Sequence, residues 1–403
     1  MNGVHIVSSL LLILIGISSI PVLTLAVQTT AACLDPAVRQ CGDPVAGKVQ
    51  QRPSVAVLIP AHNEANGIAA TLASIRQQLR PGDRLLVIAD NCTDQTAALA
   101  TAAGAKVTVR HDQSKRGKGY ALDHGLRYLS ADLPEVVIVI DADCTISDGG
   151  IDLLALRAHS AMRPVQALDL LRSPDNSGIA VRLAEFAFLF RNLVRPLGMH
   201  RLGQPCHLMG TGMAIPRELL AAVDFASGEL AEDMVMGINL ACIGKPVMFY
   251  PDVQVTSWFA RDIGALRQQK TRWEHGHLGV MVQEGPKLLQ TWWRSGDARL
   301  LALAFETAVP PLALLALVQL LLWLLTLGLY VLVGAALPLV LAGASLALLC
   351  FTVLLAWWRF GRRTVSLTDL LYVGWYLMWK VPVYAKFLLN RQVEWVRSQR
   401  DGH

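Results

Sequence analysis

From Ala308 to Trp358 the chain carries no Asp, Glu, Lys or Arg. A hydrocarbon layer of about 30 Å is crossed by roughly 20 helical residues, so this run is too long for one span and suits two. Residues 334–338 (Gly-Ala-Ala-Leu-Pro) offer the turn, which divides the run into helices near 310–333 and 337–358. A further charge-free stretch, 4–27, suffices for one more span. A cleaved signal peptide is the rival reading; it needs a basic leading segment, and residues 1–5 hold no Lys or Arg, so a retained helix is expected. Arg39, Lys48 and Arg52 follow that helix, and Arg359, Arg362 and Arg363 follow the pair. By the positive-inside rule the N-terminus then lies outside and the chain from Gln50 onward in the cytoplasm. Residues 370–389 are apolar and rich in Trp and Tyr, but Lys380 and Lys386 interrupt them and a basic tail (Arg391, Arg397, Arg400) follows. The charges suit an interfacial or re-entrant helix; the length suits a third C-terminal span.

Composition agrees. Residues are 53% hydrophobic and 17% charged, where a soluble domain carries about 25% charged residues. This excludes a disordered chain, a coiled coil and a collagen-like rod. The formal charge of +5 fits cytoplasmic loops better than nucleic-acid binding. The seven cysteines form no C-x-x-C pair, which argues against a zinc ribbon and for free thiols in a reducing compartment.

Between about Pro53 and Gly285 the pattern changes. Apolar runs at 54–60, 85–90, 106–109 and 136–141 read as strands, and 65–78, 93–103, 118–129 and 151–161 read as helices. Such alternation means βαβ units and a mostly parallel, covered sheet, in which ligands bind outside the carboxyl ends of the strands. Those ends are polar: Pro60-Ala61-His62-Asn63-Glu64, then Asp90-Asn91-Cys92-Thr93-Asp94, then Asp141-Ala142-Asp143. Two carboxylates one residue apart can converge on Mg2+ or Mn2+, though a D-x-D alone is as readily an acidic turn. Asp90 is either a turn former or an acceptor for a base or ribose. Lys115, Arg116 and Lys118 around Gly117 and Gly119 suit a diphosphate at a helix start, or a solvated loop. Glu232 and Asp233 suit a helix N-terminus by charge, or a general base. Gln269, Arg272 and Trp273 share one helical face, where Arg can pair with phosphate and Trp can support a sugar ring. The run Met209-Gly210-Thr211-Gly212-Met213 has glycines that let backbone approach a ligand.

In order, the chain shows P-x-x-N-E after a strand, an Asp at a second strand end, D-x-D, E-D, and Q-x-x-R-W before a pair of membrane helices. This resembles the membrane-bound family 2 glycosyltransferases, the group of cellulose, hyaluronan and chitin-oligosaccharide synthases and ceramide glucosyltransferase, over roughly residues 53–273. The resemblance implies a GT-A-type α/β domain, a nucleotide-sugar donor and Mg2+ or Mn2+. It makes Asp233 the catalytic base and Asp141 and Asp143 the metal site, Asp143 the more direct ligand. Glu64, Asp90, Lys118, Asp141, Gln269 and Arg272 fall on the donor side, and Trp273 and Gly212 on the acceptor side. Ala231 stands where the processive synthases usually have Thr, which weakens the case for processive synthesis.

The expected organisation is a membrane helix (1–28), a linker (29–52), a cytoplasmic GT-A domain (53–285), an interfacial segment (286–309), two membrane helices (310–358), and a basic loop with a third membrane or interfacial helix and tail (359–403). The expected reaction is an inverting transfer from a nucleotide sugar, UDP-linked by resemblance, to a polysaccharide or lipid-linked saccharide at the inner membrane, with an export partner if the product is a polymer. A glycolipid synthase adding one sugar is the nearest rival. A sugar-nucleotide nucleotidyltransferase is a distant one, since it needs a Gly-rich basic loop where His62-Asn63-Glu64 stands. Residues 178–200 place Phe186, Phe188 and Phe190 among Arg182, Arg191 and Arg195, which reads as a core helix with snorkelling arginines or as a helix on the membrane surface.

Overall fold

The computed structural model describes residues 2–34, 51–175, 177–226, 231–259 and 263–389. Most of the expected linker (35–50) and the basic tail from 390 lie outside the described residues.

The chain begins with α1 (Asn2–Cys33). The α/β domain then alternates β1 (Val55–Ala61), α2 (Ile68–Arg76), β2 (Arg84–Asp90), α3 (Thr96–Ala102), β3 (Lys106–Arg110), α4 (Lys118–Leu129) and β4 (Val136–Val139). It continues with β5 (Thr145–Ile146), α5 (Gly150–Ala161), β6 (Val165–Arg172), α6 (Ile179–Leu189), α7 (Arg195–Arg201), β7 (Met213–Pro216), α8 (Arg217–Leu220), α9 (Glu232–Cys242) and β8 (Met248–Trp258). The long α10 (Ile263–Ser295) and α11 (Ala298–Thr307) lead to α12 (Leu312–Val333), α13 (Ala336–Ala356) and α14 (Val373–Leu389).

One eight-stranded sheet runs in the order β3-β2-β1-β4-β7-β6-β8-β5. β1 pairs in parallel with β2 and β4, as does β2 with β3. The far half departs from the parallel expectation: β7 lies antiparallel between β4 and β6, and β5 antiparallel to β8. β7 is a four-residue strand between glycine-rich loop and helix, too short to declare itself by alternation. Both faces of the sheet are covered, so its strands are apolar at every position. Val55, Val57 and Ile59 pack against Ile68 and Leu72 of α2 and Leu154 of α5. Ala56 and Leu58 face the opposite layer, with Leu122 of α4, Phe186 of α6 and Leu240 of α9.

That second layer continues into the apolar helices. Val22 and Leu25 of α1, Leu315 of α12 and Leu349 of α13 belong to the same buried cluster. Among the described residues, three helices are long and apolar enough to cross a membrane: α1 from His5, α12, and α13 with its extension to Gly361. Gly334 closes α12 in the left-handed conformation at φ +71°, which leaves the tight turn expected there. Leu321, Leu332, Val340 and Phe351 stand exposed on α12 and α13, as lipid-facing side chains do. α14 is not among these three helices; its Lys380 is buried and pairs with Glu274 of α10 at 2.6 Å.

In the 178–200 segment, Phe186 and Phe190 are buried. Arg195 is buried against Glu306 at 2.9 Å, while the part-exposed Arg182 pairs with Asp369 at 2.6 Å. α1 is fixed to the domain through α7. A Cβ at Gly198 would overlap the Gln28 carbonyl, and Arg201 donates to the carbonyls of Ala31 and Ala32 at the end of α1 and of Leu34 just past it. Gly198→Val is therefore expected to lower stability by about 1–3 kcal/mol through overpacking. Thermal unfolding in detergent measures it, and an unchanged midpoint would show that α1 and α7 do not meet this closely.

Candidate active site

The floor is built where β4 ends. The Cys144 N–H donates to the Asp141 carbonyl at 3.1 Å, a tight turn that carries both aspartates to one side. Ligand atoms of Asp141, Asp143 and Cys144 lie within 4.8 Å of one another. Burial pushes the Cys144 thiol well above its ordinary pKa, so this set offers two carboxylates and a protonated thiol. The carboxylates fit a hard divalent cation. Lys118, in the first turn of α4, pairs with Asp141 and donates to the Gly210 carbonyl at 2.8 Å. Burial opposes its charge, but Asp141, Glu232 and Asp233 together raise its pKa.

The wall over this floor is the segment 209–211. Gln166 of β6 is fully buried and holds it from both sides, accepting from Met209 N–H and donating to the Thr211 carbonyl, each at 2.8 Å. Thr211 Oγ1 accepts from the Asp141 N–H at 3.1 Å. Gly210 sits at φ +92°, where a Cβ would lie 3.3 Å from Asp233 Oδ2 and 3.4 Å from Lys118 Nζ. Glycine is favoured there by conformation, and a Cβ would fit only tightly.

The first turn of α9 supplies Glu232 and Asp233. Burial raises both carboxyls; Glu232 reaches about 7, with Asp233 adding to it, while Lys118 acts to lower each. From α10, Arg272 and Trp273 close the pocket. Burial lowers Arg272, and the charges of Glu232 and Asp141 oppose that. Trp273 packs on Phe188 with ring centroids 5.7 Å apart. The pocket has a volume of about 160 Å³ and brings Lys118, Asp141, Asp143, Asp233, Arg272 and Trp273 onto one wall system.

The other expected residues lie elsewhere. Asp90 ends β2, pairs with Arg110 at 2.6 Å, and is off this wall. β2 is two strands from β4, about 10 Å along the carboxyl edge, a distance a nucleotide can bridge. Glu64 starts the turn into α2, its N–H donating to Thr96 Oγ1 at 2.8 Å. Between the two, Asn63 at φ +56° accepts from Thr93 N–H at 2.6 Å and clips the first two strand-end loops together. Two expected residues lie off the pocket wall. Gly212 packs beneath it: a Cβ there would press on Ala167 and Val255, at 2.8 and 2.9 Å. Gln269 is fully buried on α10 and off the pocket wall, although it shares a helical face with Arg272 and Trp273.

Sequence reasoning missed Asp169 and Asn192. Asp169 on β6 lines the pocket, accepts from Asn192 Nδ2 at 2.9 Å, and is raised by burial, with Asp141 adding, to about 8. The only sequence signal was a carboxylate inside an apolar run, which needs β6 to be recognised as a strand.

Comparison with known proteins places this geometry. The family model described as "Glycosyltransferase like family 2" matches residues 53–276. A probable glycosyltransferase of Bacillus subtilis, YdaM, is 24% identical over 250 residues, 58% of each chain. The poly-beta-1,6-N-acetyl-D-glucosamine synthase of Staphylococcus epidermidis is 21% identical over 244 residues, 58% of this chain and 57% of that one. The match thus spans a little over half the length of these curated relatives. Among solved structures, the mannosyltransferase PcManGT of Pyrobaculum calidifontis, in complex with GDP-Man and Mn2+, aligns with a TM-score of 0.55 at 18% identity, covering 93% of this chain and all of that one. At that identity the likeness is one of fold, the GT-A fold of a mixed sheet with strand-end carboxylates. With the family model matching more than half of it, the chain belongs to the family 2 glycosyltransferases.

Proposed function

We propose that the chain transfers a hexose from a UDP-sugar, with inversion, to a hydroxyl presented at the membrane. The observation that carries this reading is that Asp233, the Asp141–Asp143 pair, Lys118 and Arg272 all face one small pocket beside the apolar helices. The donor lies along the carboxyl edge, its base toward Asp90 and Glu64 and its diphosphate toward Lys118 and Arg272. Asp141 and Asp143 would hold a divalent cation, which when bound supplies Lewis-acid stabilisation of the diphosphate. Asp233 accepts the proton of the attacking hydroxyl. The hydroxyl oxygen bonds to the anomeric carbon as the bond to the diphosphate oxygen breaks, and the electron pair leaves with the nucleoside diphosphate. Arg272 and Lys118 stabilise the charge that develops on that leaving group. Attack from the opposite face turns an α-linked donor into a β-linked product. Trp273 supports the acceptor. The positive-inside pattern of Arg52, Arg359, Arg362 and Arg363 supports a cytoplasmic position for the catalytic domain on the inner membrane.

Release of nucleoside diphosphate from UDP-glucose, UDP-N-acetylglucosamine and GDP-mannose by the purified full chain tests the reading. One UDP-sugar is expected to be consumed, excess chelator to stop consumption, and added Mn2+ or Mg2+ to restore it. Undiminished turnover in chelator would remove the metal, and consumption of no donor would overturn the reading.

A further inference from the structure

A second cavity, of about 200 Å³, lies against the first. The two share Phe188, Arg191 and Trp273 as common wall, which sets this cavity directly beside the pocket of the catalytic carboxylates. Its remaining walls are hydrocarbon for the most part, with Leu183 and Phe186 of α6, Leu312 and Ala316 of α12, and Leu349 of α13 among them. These residues come from the start of α12, the later part of α13 and, through Leu25, the later part of α1. All three are the ends at which the apolar helices meet the catalytic domain. The cavity therefore sits at the level where the membrane gives way to the active site.

We infer that the acceptor is a membrane lipid: its hydrocarbon chain occupies this cavity and its head-group hydroxyl passes Trp273 and Arg191 to reach Asp233. This rests on the glycosyl-transfer reading above and names its acceptor class. A growing glycan is the wrong occupant. Arg195, Lys270, Glu274 and His277 also line the cavity, but most of its wall is apolar, so most sugar hydroxyls moved into it from water would lose hydrogen bonds that the wall does not return. A hydrocarbon chain loses none and is removed from water already. The volume is below the roughly 300–1,000 Å³ of a site for a whole drug-sized ligand, which suits a length of chain with the polar head in the adjoining pocket. Arg191 makes no ion pair among the described residues; its guanidinium reaches Met234 Sδ at 3.6 Å, at the junction of the two spaces. A cation so placed favours the oxygen-rich head group on the pocket side. In the reaction the lipid hydroxyl gives its proton to Asp233 and its oxygen bonds to the anomeric carbon as the bond from that carbon to the diphosphate oxygen breaks, the electron pair leaving with the nucleoside diphosphate and the lipid gaining one sugar.

The test uses the full chain in phosphatidylcholine nanodiscs and a hexadecanol analogue carrying a diazirine near its chain end. Irradiation is expected to label peptides covering 183–191 and 312–316, and dioleoylglycerol is expected to compete. Ala316→Trp fills the cavity without touching the catalytic groups. It is expected to cut that labelling and raise the KM for a lipid-alcohol acceptor by at least about tenfold, while acceptor-independent release of nucleoside diphosphate stays near wild type. Retained release shows that the variant is folded; the milder Ala316→Leu should give an intermediate effect. Labelling confined to the outward faces of α12 and α13, or unaffected by Ala316→Trp, overturns the inference. So does a lipid-free polymer as product. Absence of donor turnover in the wild type defeats the glycosyl-transfer reading itself, which keeps the two failures apart.

Discussion

An Asp233→Asn enzyme is expected to lose on the order of a hundred- to ten-thousandfold in turnover, the range a positioned general base contributes, while its affinity for the donor stays near wild type. The substitution preserves shape. Asp233 Oδ1 accepts from the Met234 N–H at 2.9 Å, and the amide oxygen of Asn can do the same. What is lost is the capacity to take a proton. The donor side of the pocket, Lys118, Arg272 and the Asp141–Asp143 pair, is left in place. Because burial raises the Asp233 carboxyl, the wild-type rate should fall as pH drops through a value above the ordinary aspartate pKa of about 3.9. A base works only when deprotonated, so a raised pKa shuts the reaction off earlier on acidification. The residual activity of the Asn variant should be flat through that limb. Glu232→Gln, which removes the neighbouring carboxyl but not the base, should shift the limb toward lower pH, since Glu232 and Asp233 repel each other when both are charged. Turnover of Asp233→Asn close to wild type, with donor consumption intact, would remove Asp233 from the mechanism.

The N-terminal half of the sheet was readable because local and global signals agree there. The apolar runs before Ala61, Asp90 and Asp141 are strands buried on both faces, and each ends in residues with a reason to turn. Asn63 and Asn91 adopt positive φ, and Asp94 accepts from the Thr96 N–H at 3.0 Å in the turn before α3. The other half was not readable for equally physical reasons. β6 buries a glutamine and an aspartate, Gln166 and Asp169, whose partners Met209, Thr211 and Asn192 come from loops and helices remote in sequence. A buried polar residue whose partners are distant looks like surface when read locally. Gly210 and Gly212 were indistinguishable as letters; only the position of Asp233 against one and of Ala167 and Val255 against the other separates them. Gln269, Arg272 and Trp273 share one helical face by spacing, but spacing does not say how α10 is rotated: it turns Gln269 into the interior while Arg272 and Trp273 meet the pocket.

The other large effect is expected far from the chemistry, where the apolar helices join the domain. Glu306 of α11 pairs with Arg195 of α7 at 2.9 Å and accepts from Gln28 of α1. Both charged side chains are nearly inaccessible, at 6 and 7% relative exposure. Arg195 also donates to the Glu306 carbonyl at 2.8 Å. Removing one member of a buried pair leaves the other charge without compensation, which costs about 3–5 kcal/mol. Glu306→Ala is therefore expected to lower the unfolding midpoint in detergent sharply and to free α1, read as new proteolysis near residues 28–34. A surface role predicts a different result, a change within about 1 kcal/mol. The double variant Arg195→Met with Glu306→Leu separates desolvation from simple loss of volume. It deletes both charges and keeps apolar bulk, so it should be more stable than Glu306→Ala and should recover much of the wild-type midpoint. If the double variant is as unstable as the single one, the ion pair itself, and not relief of an orphaned arginine, holds α1 and α11 on the catalytic domain.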